Sequence, residues 1–557
     1  MKKLLKIALS LALVLTLLTG CGSQGGDTQP DPTATPEVTE APAEEPTEEP
    51  AAEADEAGKS VNIAVTSTLT SLNPLLIDAT EIVKYALSLE FLPLVELNAD
   101  LEFVPQLAES ITTEDNLTFT IKLQDGAVWS DGTPVTSKDV AFTFLLITSP
   151  EAGMAVLNQY LIAGTDDYGM MPSGATEISG VQIVDDNTLT VTTKWETALY
   201  TFENNFGRYL FTLPEHVLGE VPRDQLLTYA WFDNPDVISG PYFIQEADLN
   251  HYVHYVANEN YFLGAPKIKY LNMNVVAPSQ FLAGLQSGEI DLIQQTMGSI
   301  PLEDYDAIRA LDGVEAVMGT PVTNESIFIN VENVPDVRIR QALLYGIDRQ
   351  MILDNLISGN GEIADAFLCT GSPFYSAELG VTAYDPEKAS ALIAEAAADG
   401  ADTTIDWYVN SSETAFVNAV QLIAATFDGL GLTITPHTVD LSTLMTIAEE
   451  GTFDVMSVEY TYAPVDPYTD VAWLLSADGW TRYYNPDLDE PFQLTQSTTD
   501  LNASVEAYLT IDRAVVEDVP MISAYIISTM GAVSSRLHNA HPDVFGTFIN
   551  VHEWDVE

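Results

Sequence analysis

The stretch Leu117–Leu146 constrains the fold most, because it reads as strand, turn and helix in a fixed order. Thr118, Thr120 and Lys122 alternate with Phe119, Ile121 and Leu123, the period-2 pattern of a half-buried strand. Asp125-Gly126 and Asp131-Gly132 are turn signals. Thr136, with Asp139 three residues on and Val135 ahead of it, predicts a capped helix start with a hydrophobic staple. Strand-like and helix-like segments alternate along the rest of the chain. Strands are predicted at Val61–Val65, Thr188–Thr192, Tyr252–Ala257, Ile268–Val275 and Ile405–Val409. Helices are predicted at Lys138–Leu146, Ser279–Gln286, Val337–Ile347, Pro386–Ala398 and Ala415–Leu430. Such alternation implies an α/β architecture.

Ahead of this region lies a segment of another kind. Lys2, Lys3 and Lys6 precede the apolar run Ile7–Leu18, which is short for a membrane span and suits a signal peptide. From Gly22 to Gly58 the chain carries eleven acids and no Lys or Arg. It cannot bury a core and repels itself, so it is expected to be an extended, disordered tether. Overall, 20 Lys and Arg face 82 Asp and Glu, a formal net charge of −62. A surface this acidic argues against nucleic-acid partners. The two cysteines, Cys21 and Cys369, exclude cysteine-rich zinc and iron–sulfur sites.

Several segments resemble the bacterial extracellular solute-binding proteins of family 5, the receptors of ABC importers. The strand–turn–helix above is similar to that family's DGTP signature. Gly240-Pro241-Tyr242 with Asn258–Phe262, Leu285–Asp291, Asp336–Leu343 with Gly346–Arg349, Tyr384–Ala389 and Glu517–Ile522 resemble further family motifs in the same order. Most of these motifs also have a structural reading. Asp336 suits a helix N-cap, Gly288 a helix C-cap, and Arg338 and Arg340 are expected to be salt-bridged scaffold residues. Leu18-Thr19-Gly20-Cys21 resembles a lipobox, which implies cleavage before Cys21 and a lipid on its sulfur. Cys369 is then expected to be a small buried hydrophobe.

The resemblance implies a two-lobed, periplasmic-binding-protein-like α/β fold (type II, cluster C), hinged between the lobes. The implied division is signal peptide 1–20, tether 21–58, a first-lobe core of 59–100, 200–320 and 520–557, an inserted subdomain 101–199, and a second lobe 321–519. It further implies a monomeric, lipid-anchored, extracytoplasmic receptor that hands its ligand to an ABC permease and its ATPase, with no cofactor. Closure around a ligand would bring both lobes into contact with it.

Catalytic motifs do not compete with this reading. HExxH, GxSxG, P-loop and GxGxxG patterns are all missing from the sequence. His251 and His254 have HxxH spacing, but residues i and i+3 of a strand face opposite sides, so a shared metal is not expected.

The ligand is less clear from sequence. Peptide-binding relatives place an Asp for the peptide ammonium a few residues before an Asp-Pro-like pair. Aligned on Asp466-Pro467, that position is Ala463, and Tyr460 takes the place of a Trp. Glu459 could substitute only along a different backbone path. Between Gln350 and Thr481 there is one Lys (Lys388), one His (His437) and no Arg, so this lobe is poorly equipped to grip a carboxylate. It is instead rich in aromatics, including Trp407, Tyr460, Tyr462 and Trp480, which suit sugars or cations. The candidate ligand contacts are therefore Tyr460, Tyr462, Ala463, Asp466, Trp407, Trp480 and Glu459. An oligopeptide is the family-default ligand. An oligosaccharide or small organic cation is the alternative, and an extracellular sensor or adhesin is the alternative of another class.

Overall fold

The computed structural model describes residues 60–77, 80–153 and 157–556. Cys21, the signal segment and the tether lie outside the described residues. Two sheets organise the rest. The first has seven strands, with Ser60–Val65 near its centre, parallel to both Tyr270–Val275 and Leu292–Ile293. Val61, Ile63 and Val65 are fully buried on one face while Ala64 joins a separate cluster on the other, as expected for a central strand covered on both sides. The second sheet has six strands, among them Thr323–Ile329, Thr404–Asn410, Val455–Thr461 and Met521–Ile527.

The chain crosses between the sheets twice. Val314–Met318 belongs to the first sheet and Thr323–Ile329 to the second. Met521–Ile527 belongs to the second and Met530–Ser534 to the first. The crossings touch, because Gly319 N–H donates to the Thr529 carbonyl at 2.9 Å. Strand pairing thus puts the second crossing at residues 528–529 rather than at 520. Motif matching alone cannot see which sheet supplies the ladder partners of a strand.

A four-stranded sheet, Ala108–Thr113, Thr118–Leu123, Thr188–Thr192 and Val181–Ile183, forms a satellite of the first. The helix Ser137–Ile147 starts with the expected reciprocal cap, in which Asp139 accepts from Thr136 N–H at 2.8 Å. Gly288 ends its helix in the left-handed region at φ 78°. Asp336 caps through Arg338 N–H at 2.9 Å, and Arg338 pairs with Asp336 and Asp399. Arg340 departs from expectation: it donates to the carbonyls of Val334, Pro335 and Asp518 and so pins backbone rather than pairing with an acid. Among the described residues, no helix is long and apolar enough to cross a membrane.

Candidate binding cleft between the lobes

The strand Val455–Thr461 delivers the chain to the seam between the lobes. Its carboxyl end points the same way as that of Thr404–Asn410, and crevices in α/β sheets form outside such ends. Beyond it, residues 462–467 turn into the helix Tyr468–Leu474. Two carboxylates from this turn and helix enter the seam. Asp466 is buried and accepts from Thr201 of the first lobe at 2.8 Å. Asp470 accepts from the Tyr460 hydroxyl at 3.0 Å and from the backbone N–H of Ala463.

Burial pushes both carboxyls up, Asp466 to about 7 against donation from Thr201, and Asp470 to about 6 against donation from Tyr460. No base compensates them within the second lobe. Arg349 is held by Asp365, Arg513 by Glu378, Arg482 by the carbonyls of Asp478 and Glu449, Lys388 by the Tyr345 ring and His437 by Asp406. Arg338 and Arg340 are occupied as described above.

The first lobe contributes the helical segment Leu199–Phe202, which continues into a π-helical turn, Glu203–Gly207. Such turns recur at functional sites. Glu203 is pushed up to about 8 by burial. Asn204 donates to Asp466 while accepting from Arg208 at 3.2 Å. Arg208 itself is committed to Glu96 at 2.8 Å. The Tyr200 hydroxyl donates to the Thr495 carbonyl across the seam at 2.7 Å. Asn116 does the same to the carbonyls of Gln496 and Thr498 at 3.1 and 2.9 Å. An apolar cluster including Leu97, Leu101, Phe545, Cys369, Val465 and Ile526 spans the hinge side. The lobes are therefore closed on one another, and Cys369 is the buried apolar residue expected.

The predicted contacts separate into three groups. Asp466 meets the first lobe through Thr201, while Tyr460 and Tyr462 are buried in the second-lobe cluster beside it, Tyr460 against Asp470, whose carboxylate also accepts from Ala463 N–H, and the Tyr462 hydroxyl 3.2 Å from Ser326. Trp480 packs behind Tyr460 against Phe328 and Trp473, a supporting layer. Trp407 is wholly enclosed in the core on the other face of the sheet, its indole N–H donating to Ser457 at 2.6 Å, so it does not line the cleft. A strand's alternation sends one of Trp407 and Tyr408 inward, and the larger ring took the core. Glu459 lies on that same opposite face, across from Glu325. Asp470, Thr201, Glu203 and Asn204 were missed. Asp470 stands in the sequence as the next acid after Asp466-Pro467, but its turn back onto Ala463, like the approach of the first-lobe groups, comes only with tertiary folding.

Residues 102–482 match the middle region of the bacterial extracellular solute-binding proteins, family 5. The chain is 29% identical over 374 residues to a putative ABC transporter peptide-binding protein of Brucella ovis, covering 65% of this chain and 66%, just under two thirds, of that relative. It is 26% identical over 332 residues to the nickel-binding periplasmic protein of Escherichia coli, covering 58% of each. In fold it is similar to the ABC transporter substrate-binding protein CtaP of Listeria monocytogenes, with a TM-score of 0.74 at 23% identity over 89% of this chain and 99% of that one. With the family match spanning residues 102–482, more than half its length, the chain belongs to the bacterial extracellular solute-binding proteins of family 5.

Proposed function

We propose that this protein is an extracytoplasmic receptor that captures an oligopeptide between its lobes and delivers it to an ABC permease and its ATPase. The observation that carries the ligand class is the pair Asp466 and Asp470, two carboxylates in the interlobe seam with no basic partner in their lobe. A buried carboxylate is stabilised by a proton or by a cation, and the ammonium of a peptide N-terminus supplies the cation. Asp470 sits on the backbone N–H of Ala463. It thereby offers a carboxylate close to where relatives carry the ammonium-binding Asp. Thr201 and Asn204 bring the first lobe to Asp466. A small organic cation is the second reading, favoured by Asp466 lying near Tyr160, Tyr200 and Tyr468.

On this reading residues 1–20 are a signal peptide, Cys21 carries the lipid, and 21–58 tether the receptor to the membrane. Residues 59–100, 200–320 and 528–557 form the first lobe, 101–199 its insert, and 321–527 the second. The family is one of receptors, and no catalytic step is assigned.

The test is calorimetric titration of the full chain with tetraalanine and its N-acetylated form. Acetylation is expected to weaken binding by about tenfold to a hundredfold, the worth of one or two charge-assisted hydrogen bonds. That penalty should shrink in Asp470→Asn, as a double-mutant cycle requires. Equal affinity for the free and acetylated peptides would sink the ammonium assignment.

A further inference from the structure

On the other face of Val455–Thr461, three more carboxylates meet. Glu325 and Glu459 stand directly opposite each other on paired strands, and Tyr525 flanks Glu325 on its second side. Glu413 lies one residue before the helix Thr414–Leu430 and accepts from Asn410 at 2.9 Å and from Glu459 N–H at 3.2 Å. Like charges facing across a ladder are destabilising, so a chain that only needed a sheet has no use for this pair. A register shift at Glu325 re-aims the strand locally, a feature found beside binding sites.

The exposure of the three is graded. Glu459 is open to solvent, Glu413 is half-buried and Glu325 is fully buried. Glu459 and Glu413 are nonetheless crowded enough by protein for burial to lead the rise of both carboxyls, Glu413 to about 7. The three carboxyls thus run inward from an exposed rim at Glu459 to a buried floor at Glu325. At its floor, Glu325 Oε2 takes only a long 3.4 Å contact from Tyr525. Glu325 Oε1 and Glu413 Oε2 are buried without a hydrogen-bond partner among the described residues. Orphaned buried acceptors are uncommon in native proteins and call for a missing donor. The bases of this lobe are all engaged elsewhere, as shown above. Among the described residues no group of acids has the geometry of a metal site, and an ammonium or guanidinium carries N–H donors of the kind these oxygens accept.

We propose that Glu325, Glu413 and Glu459 form a second cation-binding recess that takes the ammonium or guanidinium of a ligand side chain, so that the receptor favours basic peptides. The inference rests on the peptide-receptor reading and extends it. The recess and the cleft lie near the same carboxyl end of Val455–Thr461 but on opposite faces of its sheet. A ligand with its terminus at Asp470 reaches Glu459 with a side chain by passing around that strand end. A lysine or arginine donates to several acceptors at once, which suits a site with two orphaned oxygens.

The experiment is titration of the full chain with tetraalanine, with four tetraalanine variants carrying one lysine each, and with the four norleucine counterparts. Norleucine keeps the aliphatic stem and removes the charge. At one position or more, lysine is expected to bind about tenfold tighter than norleucine, the value of a charge-assisted hydrogen bond. In the double variant Glu413→Gln/Glu459→Gln that ratio is expected to fall to about one, with thermal melting confirming a folded protein. The ratio is internal to each protein, so a general loss of affinity cannot imitate it. If tetraalanine binds and lysine shows no advantage anywhere, or an advantage that survives in the variant, the recess is overturned and the peptide reading stands. If no peptide binds, the peptide reading fails and takes this inference with it.

Discussion

Thr201 donates its hydroxyl to Asp466 at 2.8 Å, tying a helical turn of the first lobe to the cleft turn of the second. Burial in the closed seam holds the Asp466 carboxyl near 7 against the donation from Thr201, which makes closure sensitive to protons. With the lobes apart, Asp466 returns toward the ordinary carboxylate range. The closed form thus binds the extra proton. Its advantage is complete below the ordinary pKa and is lost as pH rises through about 7. The unliganded protein is expected to show a smaller radius of gyration by X-ray scattering at about pH 5 than at about pH 8. The difference should shrink in Asp466→Asn, leaving the part contributed by Asp470, whose carboxyl is also raised by burial, to about 6. A radius independent of pH in the parent protein would refute the linkage.

Glu96 organises a buried charge cluster behind the cleft, with Lys84 at 2.6 Å and Arg208 at 2.8 Å. Burial alone would raise its carboxyl, but Lys84 and Arg208 outweigh burial and hold it below the usual range. Its contribution is present above the ordinary carboxylate pKa and is lost as pH falls through the depressed value. Glu96→Ala leaves two buried cations short of a partner. Urea denaturation is expected to show a loss of about 3–5 kcal/mol.

Trp407 is core, so Trp407→Phe should alter stability and not recognition. The change removes the hydrogen bond to Ser457 and part of a fully buried ring. A loss of about 1–3 kcal/mol is expected, with peptide affinity unchanged within error. A large fall in affinity at unchanged melting temperature would restore Trp407 to the cleft.

Asp336 caps the helix Val337–Gly346 and holds the Arg338 guanidinium at 2.7 Å. Asp336→Ala is expected to cost about 1–2 kcal/mol, read as an earlier urea midpoint. Asp336→Asn keeps the acceptor for the N–H of Arg338 and should recover most of the cap.

The motif elements emerged nearly as read. Thr118–Leu123, Thr188–Thr192, Tyr252–Ala257 and Pro386–Ala398 have the predicted bounds, because alternation and caps act within a few residues. The scarcity of bases between Gln350 and Thr481 was likewise visible, since composition cannot be undone by folding. The cleft was legible only in part. Tyr460, Tyr462 and Asp466 follow from one segment of chain. Asp470 required knowing that the helix after Pro467 turns its first acid back onto Ala463.

The sequence by itself determined the local elements, the α/β class and the acidity of the second lobe, all properties of short windows or of composition. Only tertiary structure decided the rest. Thr201 meets Asp466 across 265 residues, and Glu325 meets Glu459 across a strand ladder. It also decided that Trp407 is core on one face of its sheet while Tyr460 packs on the other, against Asp470. Side-chain alternation gives two faces to every strand, and which face meets solvent, core or the other lobe depends on partners that no local pattern specifies.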